Sequence, residues 1–176
     1  MSHAIALPAA SRRQAAAFAA LRMLMLSLLM LLSHGAWADP AAANQALTVS
    51  KQNFALLKQN YTVAKMQVQA GQPNAAIVSF TLAKAQAAQM GSNLIRLLNE
   101  NKHSLENGLY LNHSAQENAV QYSSIAKNSA QLLQTRLAIL SIQPGSQVDL
   151  IMADQALAKL TFDMTRLEQE MIAAQQ

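Results

Sequence analysis

The sequence predicts an all-α protein, an antiparallel four-helix bundle of two long helical hairpins that follow a cleaved N-terminal signal peptide. Two observations lead to this prediction. From residue 43 onward Gly and Pro are scarce while Ala, Leu, Gln and Lys are abundant, which is typical of helices. Apolar residues also recur in alternating steps of three and four, so each segment has one apolar face that must pack against another helix.

Residues 1–38 have the composition of a secretory signal peptide. Arg12, Arg13 and Arg22 make the N-terminal region positive, and no acidic residue accompanies them. Residues 23–33 then form an uncharged run that is rich in Leu and Met. This order of a basic region followed by an apolar run directs a chain to export.

A cleavage motif follows the apolar run. Ala36-Trp37-Ala38 has small residues at the two positions that a signal peptidase reads, so cleavage would leave residues 39–176 as a single helical domain. An uncleaved anchor is the alternative, but the apolar run is shorter than the roughly 20 residues that a spanning helix needs. We therefore expect a periplasmic or secreted bacterial protein with no membrane span in its mature form.

The charge balance argues against binding to nucleic acid. The chain has 13 basic and 9 acidic residues, and three of the basic ones lie in the predicted signal peptide. The rest of the chain is close to neutral and has no basic cluster interleaved with aromatic residues, which is the pattern that phosphate-backbone binding requires. The absence of Cys also excludes disulfides, zinc–thiolate sites, thiol catalysis and covalent c-type haem.

Three breaks divide the domain into four segments. They are Gly71-Gln72-Pro73, the Asn-rich stretch 99–113, and Pro144-Gly145-Ser146, and all three are rich in residues that favour turns. The segments between these breaks predict four helices, over about 43–70, 74–98, 115–142 and 147–174.

The first two segments carry continuous apolar stripes. In the first, the stripe runs from Leu47 to Val68, with Ser50 as its one polar interruption. In the second it runs from Ala76 to Leu97. Two such helices joined by a short break predict the first hairpin.

The third and fourth segments form the second predicted hairpin. The stripe of the third is looser, and that of the fourth is the strictest in the chain. Ser114 with Glu117 predicts a capping box at the start of the third helix, and Ser146 with Asp149 predicts one at the start of the fourth. In a capping box the Ser side chain accepts a hydrogen bond from a backbone N–H that has no partner within the helix.

Few residues have the chemistry of a catalytic or ligand site. Glu100 and His103 have the Glu-x-x-His spacing of di-iron proteins, but that site needs two such motifs and the sequence has one. His103 and His113, with the five methionines after residue 38, are residue types that bind haem or a metal ion. These histidines lie in the Asn-rich break, away from the apolar stripes. We therefore predict no catalytic, cofactor-binding or metal-binding residues.

The charged residues suggest an interaction surface instead. Lys51, Lys58 and Lys65 recur every seven residues beside the first apolar stripe. An acidic row lines one flank of the fourth helix: Asp149, Asp163 and Glu170. The two rows are either solvated faces or partners that pair between helices or between copies of the protein, as in coiled coils.

Together these features predict a non-catalytic exported protein. We expect it to bind other envelope proteins or itself, as a scaffold component of a secretion-type or pilus-type bacterial assembly. One alternative is a periplasmic bundle that holds haem or a metal ion. The other is a periplasmic chaperone that uses an apolar helical face.

Overall fold

The computed structural model describes residues 40–176, so the predicted signal peptide and its cleavage site lie outside the described residues. These residues form four α-helices: α1 (Pro40–Gln69), α2 (Pro73–Glu106), α3 (His113–Leu140) and α4 (Gln147–Ala174). Each helix packs antiparallel to the next, and no strand occurs between residues 40 and 176. The predicted fold class, an all-α four-helix bundle, is confirmed.

The core is built from the apolar stripes that the sequence predicts. All four helices contribute large side chains that are fully buried: Leu57, Tyr61, Phe80, Met90, Leu94, Leu97, Leu133, Leu137, Leu140, Leu160, Leu167 and Met171. Burying one side chain of this size stabilises the fold by about 1.5–3 kcal/mol. None of the four helices is both long and apolar enough to cross a membrane.

The seam between α1 and α4 differs from the other three seams of the bundle. The backbones of α1 and α4 lie farther apart than those of α1 and α2, α2 and α3, or α3 and α4. Long side chains bridge the gap, and at one end Gln175 Nε2 donates a hydrogen bond to Asn44 Oδ1 at 3.0 Å. The first and last helices are therefore neighbours that are connected through side chains.

The turn between α1 and α2 coincides with the predicted break. Gly71 has a φ of +70°, a conformation that glycine adopts without steric cost, and it lies in the turn that ends α1. The N–H of Gln72 donates to the carbonyl oxygen of Gln67 at 2.8 Å, which caps the end of the helix. Pro73 then begins α2, at a position where its missing N–H would have had no helical partner.

The second break is shorter than the sequence suggests. α2 continues to Glu106 instead of ending near residue 98, so only residues 107–112 connect it to α3. The reason is that Asn101 and Ser104, which resemble loop residues in the sequence, are fully buried on the inner face of α2. Asn101 forms hydrogen bonds with Ser123 and Gln116 of α3, and α2 can make these contacts only if it continues past residue 98.

The two predicted capping boxes have different outcomes. Asn112, not Ser114, is the N-cap of α3, and its Oδ1 accepts from the N–H of Ala115 at 3.1 Å. At α4 the predicted cap is confirmed, because Ser146 Oγ accepts from the N–H of Asp149 at 3.4 Å.

Candidate interaction surfaces on the first and last helices

The lysine row of α1 faces α4. Lys51 forms an ion pair with Glu168. Lys65 Nζ binds both carboxylate oxygens of Asp154, at 2.8 and 2.9 Å. The side chains in both pairs are between about one third and one half exposed, so each pair stabilises the fold by about 1 kcal/mol at most. The two pairs therefore connect α4 to α1 but contribute little to the stability of the fold.

Tyr61 connects one of these ion pairs to the core. Its hydroxyl group donates to Asp154 Oδ1 at 2.9 Å, with the carbonyl oxygen of Leu150 a second acceptor at 3.2 Å. Its ring packs against Phe80, with 6.0 Å between the ring centroids. Burial, and then the hydrogen bond to Asp154 and the charge of that carboxylate, raise the pKa of Tyr61. The folded bundle therefore holds the proton of Tyr61 more tightly than the unfolded chain does.

The predicted acidic row does not lie opposite the lysines. Its three members face α3: Asp149, Asp163 and Glu170. Asp149 Oδ1 lies 4.0 Å from Nη1 of Arg136, and Glu170 Oε2 accepts from Nδ2 of Asn118 at 3.2 Å. Lysines of α1 do pair with carboxylates of α4, but the carboxylates are those of Asp154 and Glu168.

Asp163 is the most buried of the acidic residues and has a structural role. Its side chain is 4% exposed. Its Oδ2 accepts from Ser129 Oγ at 2.5 Å, across the α3–α4 seam, and from Lys159 Nζ at 2.7 Å. A buried carboxylate is costly unless it is paired and hydrogen-bonded, and both conditions are met here. A charge reversal at Asp163 would therefore disturb the fold, so this residue is unsuited to an exposed interaction row.

A small cleft opens on the wide seam between α1 and α4. It encloses about 230 Å³, and Phe54 and Met164 are among the residues that line it. Lys58 lies beside it with its Nζ 4.7 Å from the centroid of the Phe54 ring, a cation–π contact, and forms no ion pair within residues 40–176. Pockets for drug-sized ligands measure roughly 300–1,000 Å³, so this cleft is smaller than such a pocket.

A second stripe runs along the solvent-facing side of α4. We call it the outer stripe, and its eight residues are Val148, Ile151, Gln155, Ala158, Phe162, Thr165, Gln169 and Ile172. Each of them lies two positions before a residue of the apolar core stripe, which places it about 200° around the helix. All eight are exposed and none is charged. Val148 is 64% exposed, Ile151 57%, Phe162 61% and Ile172 53%.

Charged residues flank the outer stripe, with one sign on each side. Lys159 and Arg166 lie on the flank toward α3, and Asp154 and Glu168 lie on the flank toward α1. Their side chains are 39–54% exposed, so all four remain accessible from solvent although each has a partner within the bundle. The sequence signal for this surface is the absence of charge at all eight positions, which is separate from the pattern of the core stripe.

The histidines are not gathered into a ligand site. His103 Nδ1 lies 3.9 Å from Oε2 of Glu106, and His113 Nδ1 lies 3.5 Å from Oε1 of Glu117, each on the same helix. Three methionines are buried in the core: Met90, Met164 and Met171. Within the described part of the chain, no group of three or more His, Asp or Glu side chains is arranged to hold a metal ion.

A buried polar layer joins α2 to α3 near the second break. Asn101 Nδ2 donates to Ser123 Oγ at 3.0 Å, and Gln116 Nε2 donates to the carbonyl oxygen of Asn101 at 3.0 Å. Ser123 in turn donates to the carbonyl oxygen of Ala119 at 2.7 Å. Buried polar groups of this kind fix the relative position of two helices because few other alignments satisfy their hydrogen bonds.

Comparisons of the chain with protein-family models, with curated proteins and with solved structures found no match.

Proposed function

We propose that the protein is an exported, non-catalytic helical module that binds other envelope proteins or itself in a bacterial assembly. The observation that carries this proposal is the outer stripe of α4. It presents Val148, Ile151, Phe162 and Ile172 to solvent along one uncharged helix face. These four large apolar side chains are aligned on one face, with neutral residues such as Gln155, Thr165 and Gln169 between them, and such a face can bind another surface.

The contacts of the buried polar residues support a non-catalytic role. Asp163 is held by Ser129 and Lys159, and Asn101 by Gln116 and Ser123, in hydrogen bonds that run between helices. These side chains are occupied in holding the bundle together, whereas catalytic groups are directed toward a cleft that a substrate enters.

Export is supported by the sequence of residues 1–38. A basic region, an apolar run and the Ala36-Trp37-Ala38 motif follow in the order of a signal peptide. Fractionation of bacterial cells that make the full-length chain tests this part of the proposal. Recovery of the protein from the cytoplasm, with residues 1–38 still attached, would contradict it.

Affinity capture from the cell envelope tests the interaction role. The wild-type protein is compared with Phe162→Glu, which places a charge in the outer stripe, and with Gln131→Glu, which places the same charge at an exposed position of α3. We expect the wild type and Gln131→Glu to capture the same proteins, and Phe162→Glu to capture at least about tenfold less, the loss typical of a central interface residue. Equal capture by all three variants would overturn the role of the outer stripe, and no capture by the wild type would overturn the role in binding other envelope proteins.

A periplasmic chaperone is the second candidate, and the same exposed apolar residues favour it. A chaperone binds unfolded segments of many proteins, whereas a scaffold binds a few folded ones. Suppression of the aggregation of unrelated denatured proteins, lost in Phe162→Glu and kept in Gln131→Glu, would select the chaperone.

A further inference from the structure

The outer stripe has the spacing of a coiled-coil seam. Its residues follow one another in steps of three and four from Val148 to Ile172, a distance of about 36 Å along the helix axis. The core stripe of α4 has the same period and packs inside the bundle. α4 therefore has two seams on opposite faces, and only one of them is covered by the helices of its own chain.

The lack of charge makes the outer stripe compatible with a copy of itself. In a symmetric dimer the same surface patch meets its twin, so any charge in the middle of the patch would face a like charge. None of the eight stripe residues is charged. Ala158, near the middle of the stripe, leaves room for the two helices to approach closely.

The flanking charges select the orientation of the two helices. In a parallel pair, a residue on one flank faces the residue five positions later on the opposite flank of the other helix. Asp154 of one copy then faces Lys159 of the other, and Thr161 faces Arg166, so opposite charges meet and no like charges do. In an antiparallel pair each flank faces the same flank of the other copy. Asp154 and Glu168 would then face acidic residues, and Lys159 and Arg166 would face basic ones.

We propose that two copies of this chain associate through the outer stripe, with their α4 helices parallel and in register. The inference rests on the proposed function, because both use the outer stripe as a binding surface. It adds that one partner is a second copy of the chain, and that the α4 helices of the two copies run parallel.

The absence of Cys from the chain allows a direct test with single engineered cysteines. In a parallel dimer in register, each stripe residue lies beside its own copy, so both Gln155→Cys and Gln169→Cys form disulfide-linked dimers under mild oxidation. Both side chains are exposed, so neither substitution disturbs the core. In an antiparallel dimer centred on the stripe, the two copies of these positions are on the order of 15 and 27 Å apart, beyond disulfide reach. Gln131→Cys, exposed on α3, is the control and should stay monomeric on denaturing gels.

Both cysteine positions must crosslink for the inference to stand. They are 14 residues apart, so a shifted antiparallel dimer links at one of them at most. Crosslinking at one position, at neither, or equally at the control position would overturn the parallel dimer.

The molar mass in solution provides a second measurement, on protein purified from cells that make the full-length chain. We expect sedimentation to give twice the chain mass for the wild type and for Gln131→Glu, and a dissociation constant at least about tenfold higher for Phe162→Glu. A wild-type monomer that still captures envelope proteins through Phe162 would overturn this inference and leave the proposed function standing. A parallel dimer that captures no other protein would support the dimer and remove the role in binding other envelope proteins.

Discussion

Replacing Ser129 with Ala removes the hydroxyl group that joins α3 to the buried carboxylate of α4. Ser129 Oγ donates to Asp163 Oδ2 at 2.5 Å, and both residues are 3% exposed. A hydrogen bond to a charged group contributes about 1.5–3 kcal/mol. The loss should fall in the lower part of this range, because Lys159 still neutralises Asp163 at 2.7 Å.

Helix propensity acts in the opposite direction and must be subtracted. Ala is a better helix former than Ser by about 0.5 kcal/mol. The expected net decrease in the free energy of unfolding is therefore about 1–2 kcal/mol. For a domain of this size, that decrease lowers Tm by about 5 °C.

The assay is urea or thermal unfolding followed by circular dichroism at a fixed protein concentration, because self-association would itself shift the apparent stability. Ser92→Ala is the matched control. Ser92 is exposed in the middle of α2 and donates only to the backbone carbonyl oxygen of Ala88 in its own helix, at 3.3 Å. Its replacement should therefore raise the stability slightly, by about 0.5 kcal/mol, through helix propensity alone. If Ser129→Ala and Ser92→Ala unfold alike, the bond between Ser129 and Asp163 does not hold the two helices together.

Three further predictions follow from single residues. The pKa of Tyr61 is raised in the folded state, whereas the unfolded chain releases this proton near about pH 10. Above that pH the free energy of unfolding of the wild type should therefore fall by up to about 1.4 kcal/mol per pH unit more than that of Tyr61→Phe. Equal slopes in the two proteins would contradict the burial of this hydroxyl group. Because Asn112 is the N-cap of α3, Asn112→Ala should lower the free energy of unfolding by about 1 kcal/mol, whereas Ser114→Ala should leave it nearly unchanged. A larger loss in Ser114→Ala than in Asn112→Ala would support the capping box predicted from the sequence. Cleavage after Ala38 removes Trp37, the only tryptophan of the chain, so the exported protein should show tyrosine emission alone; a tryptophan signal would show that this cleavage does not occur.

The fold class follows from the sequence because the core stripes are local patterns. A helix with residues such as Leu150, Leu160 and Leu167 on one face must bury that face, and four such helices joined by short breaks form a bundle. The end of α2 was not predictable in this way. Asn101 and Ser104 look like loop residues, and the hydrogen bonds that Asn101 forms with α3 are tertiary contacts that no local pattern shows.

Which helix lies beside each flank of α4 was also not predictable from the sequence. The sequence places Asp163 on one flank of the α4 core stripe and Asp154 on the other, but it does not state which flank faces α1. That depends on whether the bundle winds with α1 to the left or to the right of α4, a property of the whole packing. For this reason the sequence does not show that Lys51 and Lys65 pair with Glu168 and Asp154 and not with the acidic row.

The contact between Asn44 and Gln175 has a consequence for the order in which the helices could be connected. It brings the start of α1 beside the end of α4, so a short linker from residue 176 to residue 40 would close the chain into a ring of four helices. Opening that ring between the exposed residues Gly71 and Gln72 would give a circular permutant in the order α2, α3, α4, α1. Because the core side chains and the pairs between α1 and α4 would all be retained, we expect this permutant to fold to the same bundle.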